Sequence, residues 1–294
     1  MTEKNPDALR RIRNILQSPA FRRADRDVDF LDEDDVRGTR LQLDYLKTEL
    51  NLRRRGIEQT IVVFGSTRIP DPVEAKGRFD ELHAARQKKP GDVELAEELQ
   101  IAERILAKSS YYTVAKEFAA LVAKSGEGPG DARVTIMTGG GPGIMEAANR
   151  GAYETDSKSI GLNITLPHEQ CPNSYVSEDL AFSVHYFAIR KLHFLLRARA
   201  LVAFPGGFGT LDEVFETLTL VQTGTIEPLP VILVGEEFWR QAFDADFMVS
   251  EGVIAPEDRL LFSYAETADQ IWTEICAWHR GAGRALLCDL PGPD

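Results

Sequence analysis

The sequence predicts an α/β protein: a doubly wound, Rossmann-like parallel sheet flanked by helices, with a helical extension at its N-terminus. Three observations carry that prediction. Short apolar runs alternate with longer stretches of helical periodicity, which implies βαβ units with right-handed crossovers. The runs lack the polar alternation of a half-exposed strand, as expected for a sheet covered on both faces. Three of the runs end in loops rich in glycine or hydroxyl residues, the place where open parallel sheets bind ligands.

The elements follow in order. Residues 1–56 are charge-rich and form the extension. Leu41, Leu43, Tyr45, Leu46, Leu50 and Leu52 predict a helix near 36–55, and the stretch to about residue 30 reads as partly disordered or as a partner arm. A single Rossmann-like domain is expected over 57–294. Its first strand, 60–64, runs into Gly65-Ser66-Thr67-Arg68. Helical segments follow at 74–87, 92–107 and 110–125, the first of them a charged insertion. The second strand, 134–137, ends at Thr138-Gly139-Gly140-Gly141-Pro142-Gly143 and leads into a helix at 143–155. Strands at 159–164, 200–204 and 230–234 come next, with a helix at 186–200 between the first two. A short strand at 259–262 and a helix at 267–279 close the domain.

Composition narrows the function. With 43% hydrophobic residues the chain can bury a sizeable core. A net charge of −12 argues against a polynucleotide partner. Cys171, Cys276 and Cys288 are odd in number and widely spaced, which suggests neither a disulfide framework nor a zinc site and fits a reducing cytoplasm. No run approaches the roughly 20 apolar residues of a membrane span.

The most informative segment is Phe204-Pro205-Gly206-Gly207-Phe208-Gly209-Thr210-Leu211-Asp212-Glu213. A strand, a glycine turn and a helix start together make an anion site, because the turn exposes backbone N–H groups and the helix end adds partial positive charge. Neither glycine loop matches G-x-G-x-x-G, and no G-x-x-x-x-G-K-[ST] is present, so the common dinucleotide and P-loop classes are not indicated. Glu213 has two readings of equal weight: a carboxylate acting on whatever the phosphate anchors, or the residue that reaches back to the Thr210 N–H in a capping box over Thr210-Leu211-Asp212-Glu213. Arg190, His193 and Arg197 share one helical face and Ile189, Leu192 and Leu196 another. That face is either a solvated basic stripe or sends Arg190 and Lys191 to the anion. Glu169, beyond the third strand, is a loop carboxylate that reads more simply as solvated.

These motifs together resemble the LOG family of nucleoside 5′-monophosphate phosphoribohydrolases, often labelled lysine decarboxylase-like. Pro205 to Glu213 matches P-G-G-x-G-T-x-x-E, Arg190-Lys191 the upstream R-K pair, and Gly139 to Met145 the first glycine motif in outline. Thr138 and Glu146 stand where short members carry glycine, so the chain looks more like the longer bacterial branch. The resemblance implies hydrolysis of the N-glycosidic bond of AMP, or of a cytokinin ribotide, without metal or organic cofactor. It implies catalytic roles for Arg190 and Glu213. Ser66, Gly139, Gly140, Gly141, Gly143, Met145, Glu169, Lys191, Gly206, Gly207, Gly209 and Thr210 would bind substrate or its phosphate. It further implies a cytoplasmic homodimer or larger homo-oligomer with no nucleic-acid or membrane partner. A rival of the same architecture is a non-catalytic carrier of a nucleotide or of the molybdenum cofactor. A second rival, a pyridoxal phosphate decarboxylase, would depend on Lys191.

Overall fold

The structure is a computed structural model and describes residues 6–125, 134–165, 171–283 and 286. The chain divides into two compact units, Met1–Lys47 and Thr48–Asp294. The first holds α1 (Pro6–Gln17), a single turn α2 (Val28–Leu31) and the start of α3 (Arg37–Arg54). Leu9, Ile12 and Leu16 recur at helical spacing and form one side of α1, so part of the stretch expected to be a disordered or partner arm is regular helix.

The second unit is built on seven parallel strands in the order β4-β3-β2-β1-β5-β6-β7. They are β1 (Gln59–Phe64), β2 (Val134–Thr138), β3 (Ser159–Ile164), β4 (Ala181–Val184), β5 (Ala198–Ala203), β6 (Val231–Val234) and β7 (Phe262–Ala265). The connecting helices are α4 (Pro72–Lys88), α5 (Val93–Lys108), α6 (Ser110–Lys124), α7 (Ile144–Tyr153), α8 (Phe187–Leu196), α9 (Phe208–Gln222), α10 (Glu236–Ala242), α11 (Ala245–Ser250) and α12 (Ala268–Gly281). One face of the sheet buries Ile61, Val63 and Val202 under Phe118, Ile144 and Ile271 of α6, α7 and α12. The other buries Val62, Met137 and Leu201 under Leu52, Phe194, Val214 and Trp239. Coverage on both faces is why the central strands are continuously apolar.

Three elements depart from expectation, each for a local reason. β4 has no counterpart among the predicted strands. It is a four-residue edge strand that alternates exposed and buried, too short for its period to register in the sequence. β7 starts at Phe262 rather than 259, because Pro256–Leu260 winds a 3₁₀ turn in which Arg259 Nε donates to the Pro256 carbonyl at 3.2 Å. α8 stops at Leu196, four residues early, because Ala198 already pairs with Thr60 across a bulge.

Arg197, just past α8, forms a buried ion pair. Its Nη1 and Nη2 donate to the two Glu49 carboxylate oxygens at 2.8 and 2.9 Å, and its Nε to the Ile57 carbonyl at 3.1 Å. The guanidinium pulls the Glu49 carboxyl from 4.5 down to about 2, against the opposing effect of burial. A group held this way stabilises the fold above its unfolded pKa and loses that contribution as pH falls from about 4.5 towards 2. Glu49→Gln, which leaves Arg197 buried without its counter-charge, is expected to cost about 3 kcal/mol at pH 7. Urea unfolding at pH 7 and pH 3 checks this, since the gap between wild type and variant should narrow at the lower pH.

Candidate functional site

The order in which strands are added reverses between β1 and β5: β2 to β4 extend the sheet on one side of β1, and β5 to β7 on the other. In doubly wound sheets the crevice at such a point is the ligand site. Here the loops after β1 and β5 meet, with Ser66 N donating to the Pro205 carbonyl at 3.0 Å. A cavity of about 590 Å³ opens above them. It is lined by Phe64 to Arg68, Met145, Phe187, Arg190, Gly207 to Thr210, Asp212 and Glu213.

α9 enters this cavity N-terminus first. The helix begins at Phe208 with Gly207 as its cap residue, three residues before the Thr210 cap that a capping box requires. Thr210 N instead donates to the Gly207 carbonyl, and no side chain caps the helix. The capping reading of Glu213 therefore falls. The N–H groups of Phe208 and Gly209 donate to nothing among the described residues. Two amides at a helix start, uncapped and facing a cavity, are suited to an anion.

The glycines divide into two groups. A Cβ on Gly206 would lie 2.1 Å from Thr210 Oγ1, on Gly139 2.3 Å from Arg190 Nη2, on Gly140 2.1 Å from Asn163 Oδ1 and on Gly143 2.4 Å from the Ser66 carbonyl oxygen. These positions are glycine because the protein packs against itself there. A Cβ on Gly207 or Gly209 would meet nothing within 4 Å. Neither has a positive φ, so neither packing nor backbone conformation demands glycine there, and the space beside them is open.

The first glycine loop has a different job from the second. None of Gly139, Gly140, Gly141 and Gly143 lines the cavity. Gly140 N donates to Thr138 Oγ1 at 2.9 Å, and the Gly140 and Gly141 carbonyls accept from Asn173 N and Nδ2 at 2.8 and 2.9 Å. Asn149 joins this buried network through Thr138, Ser159 and Asn173. The loop thus serves as a seat. Arg190 reaches across it, with Nε on the Leu162 carbonyl at 2.7 Å and Nη2 on the Gly139 carbonyl at 3.3 Å. Gly139 is glycine so that the guanidinium can pass. Nη1 of Arg190 has no acceptor among the described residues and remains available to a ligand.

Glu213 lies one to two turns inside α9 and is 6% exposed. Its carboxylate accepts no hydrogen bond from the described residues. Burial raises its pKa from 4.5 to about 7, and the opposing pull of Lys191 and Arg190 does not restore it. A buried carboxyl near neutrality, in a cleft beside an arginine, is the usual condition of a group that handles charge or protons.

Placement of the other expected site residues is mixed. Ser66, Met145 and Thr210 line the cavity, and Ser66 Oγ accepts from Arg68 N at 3.0 Å. Lys191 does not; its Nζ pairs with Asp212 at 2.8 Å and Glu216 at 3.3 Å and borders a separate cleft of about 700 Å³. Glu169 and Cys288 lie outside the described residues. The basic face of α8 is not a solvated stripe: His193 is buried, Arg190 grips carbonyls and Arg197 holds Glu49. Instead the apolar face is outside, with Leu192 and Leu196 44% and 47% exposed beside that second cleft. The lining aromatics Phe187 and Phe208 were not singled out from sequence; the signal available was a Phe held between two glycines. Among the described residues no group of three or more His, Cys, Asp or Glu is placed to hold a metal, and no helix is long and apolar enough to cross a membrane.

Residues 145–275 match the family model described as "Possible lysine decarboxylase". Cytokinin riboside 5′-monophosphate phosphoribohydrolase LOG of Oryza sativa subsp. japonica is 29% identical over 169 residues, covering 56% of this chain and 65% of that protein. Cytokinin riboside 5′-monophosphate phosphoribohydrolase LOG3 of Arabidopsis thaliana is 28% identical over 140 residues, covering 46% and 63%. The chain thus spans less than two thirds of either relative's length. The Moco carrier protein of Chlamydomonas reinhardtii is 19% identical over 76% of this chain and 99% of that one, with a TM-score of 0.43, a likeness too slight to carry an argument.

Proposed function

We propose that the chain is a member of the LOG family and a nucleoside 5′-monophosphate phosphoribohydrolase acting on AMP or a related ribotide, a reading supported by the match of residues 145–275 to the model described as "Possible lysine decarboxylase" and by the likeness to the LOG proteins of Oryza sativa and Arabidopsis thaliana. One observation carries the reading: a buried carboxyl, Glu213, shares a cavity with an uncapped helix N-terminus and an arginine with a donor to spare.

In this reading the 5′-phosphate sits on the Phe208 and Gly209 amides, in the space that Gly207 and Gly209 leave open. The C1′–N bond of the ribotide breaks, and its electron pair leaves with the base, which takes up a proton. Positive charge develops on the ribosyl carbon, by analogy with sugar hydrolysis. The Glu213 carboxylate stabilises that charge and orients the water whose oxygen bonds to C1′ and whose proton is released. Arg190, fixed by two carbonyls, holds sugar or phosphate in register. A ligand gripped by its phosphate spends remote binding energy on the reacting bond, so adenosine should be a poor substrate. The exposed Leu192 and Leu196 support a homo-oligomer, which light scattering tests. A decarboxylase would need Lys191 as its Schiff-base lysine, and that side chain is held by Asp212 and Glu216.

Incubation with a panel of nucleoside monophosphates, with released base measured by chromatography, tests the proposal. Base from AMP but not from adenosine is the expected result. Tight AMP binding with no base released from any member would replace hydrolase with carrier. Gly209→Ala separates fold from binding. Alanine within a helix should stabilise by about 0.5–1 kcal/mol, yet its methyl occupies the phosphate's space. Melting temperature should rise slightly while KM for AMP rises at least about tenfold; an unchanged KM would remove the phosphate from this helix end.

A further inference from the structure

Phe208 is 91% exposed, the most exposed large hydrophobic side chain among the described residues. It is the first residue of α9, immediately beside the open amides, and it lines the same cavity as Arg190 and Glu213. Gly207 and Gly209 flank it and carry no side chains of their own. Phe187, the first residue of α8, lines that cavity too and is 54% exposed. Both helices therefore begin on an exposed aromatic ring at the cavity and carry their charged candidate further along, Arg190 three residues on in α8 and Glu213 five residues on in α9. Leaving a phenylalanine in water has no benefit to the fold, since exposure forfeits the free energy its burial would supply. A flat apolar ring next to a phosphate seat is matched by one part of a ribotide, the base, whose π-face stacks on aromatic side chains.

We propose that Phe208 is the stacking platform for the base, so that the site selects ribotides carrying a planar, purine-sized ring. The proposal rests on the phosphoribohydrolase reading and adds to it the specificity-determining contact. Purine ribotides, which offer the larger face, are bound more tightly than pyrimidine ribotides, and ribose 5-phosphate, which offers none, makes no use of Phe208.

Calorimetric titration of the full chain tests this, with ribose 5-phosphate on wild type and AMP on Glu213→Gln, where AMP persists. Phe208→Ala is added to each, and Phe208→Tyr serves as the conservative rescue. The expected result is a 10–100-fold weaker AMP affinity with alanine, recovery to within threefold with tyrosine, and ribose 5-phosphate binding changed less than twofold. Equal weakening of AMP and ribose 5-phosphate would overturn the proposal, because it would mean the ring only shapes the loop. So would unchanged AMP affinity accompanied by an altered oligomeric state, which would assign the ring to a subunit contact. Those failures leave the hydrolase reading standing; absence of binding by both AMP and ribose 5-phosphate to unsubstituted Phe208 protein would sink both.

Discussion

Glu213→Gln is expected to lower kcat by roughly 10²–10⁴-fold and, at the same time, to make the protein harder to melt. The two effects have one cause. The carboxyl is buried without a hydrogen-bond donor, and its pKa stands at about 7 instead of 4.5. Because the folded state holds this proton more tightly than the unfolded chain, stability is greatest below about pH 4.5, declines as pH rises to about 7 and stays low above it. The charged form thus costs on the order of 2–3 kcal/mol at pH 8, and glutamine has no such cost. A calorimetric melt at pH 8 should therefore show a gain of roughly 4–8 °C, shrinking as pH falls towards 5. A variant that is inactive and also less stable at pH 8 would mean the carboxylate is a structural partner after all. In the wild type, kcat/KM should rise with pH through an apparent value of about 7, since the ionised form does the work.

Gly143→Ala is expected to have the largest effect on stability. Gly143 has φ +70, which an L side chain rarely adopts, and a Cβ there would sit 2.4 Å from the Ser66 carbonyl oxygen. Relief is blocked because Ile144 N donates to that same oxygen at 3.1 Å. Strain and overpacking together should cost roughly 3 kcal/mol or more, or about 6–12 °C in melting temperature. KM should rise as well, because the displaced Ser66 lines the cavity. The contrast with Gly209→Ala is the point of the pair: packing and backbone conformation require glycine at 143 and do not require it at 209. A Gly143→Ala variant that melts like wild type would show that the loop has another conformation of similar energy.

The motifs made the strands and the presence of a helix after the Gly206 loop legible, because apolar runs punctuated by glycine leave few alternatives for the backbone. Their division of labour was not legible. Both glycine loops look alike as strings, and only the neighbours of each missing Cβ separate a seat for Arg190 from an open phosphate space. α8 misled for a related reason: its periodicity locates two faces but not which one is inside. Charge on one face usually means water. Here Arg190 and Arg197 find carbonyls and a carboxylate inside the molecule, so leucine is left at the surface. The helix start two residues before Thr210 was likewise hidden, since S/T-x-x-E spacing is equally consistent with a cap and with a buried acid.

The pairing of β1 with β5 has a kinetic consequence. Val63 lies beside Val202 in the sheet although the intervening chain contains most of the preceding elements. Closing so long a loop is an entropic cost met only when those elements are in place, and contacts of this kind form slowly. The crevice between β1 and β5 is therefore expected to form late, and on the phosphoribohydrolase reading recovery of turnover during refolding would time that pairing.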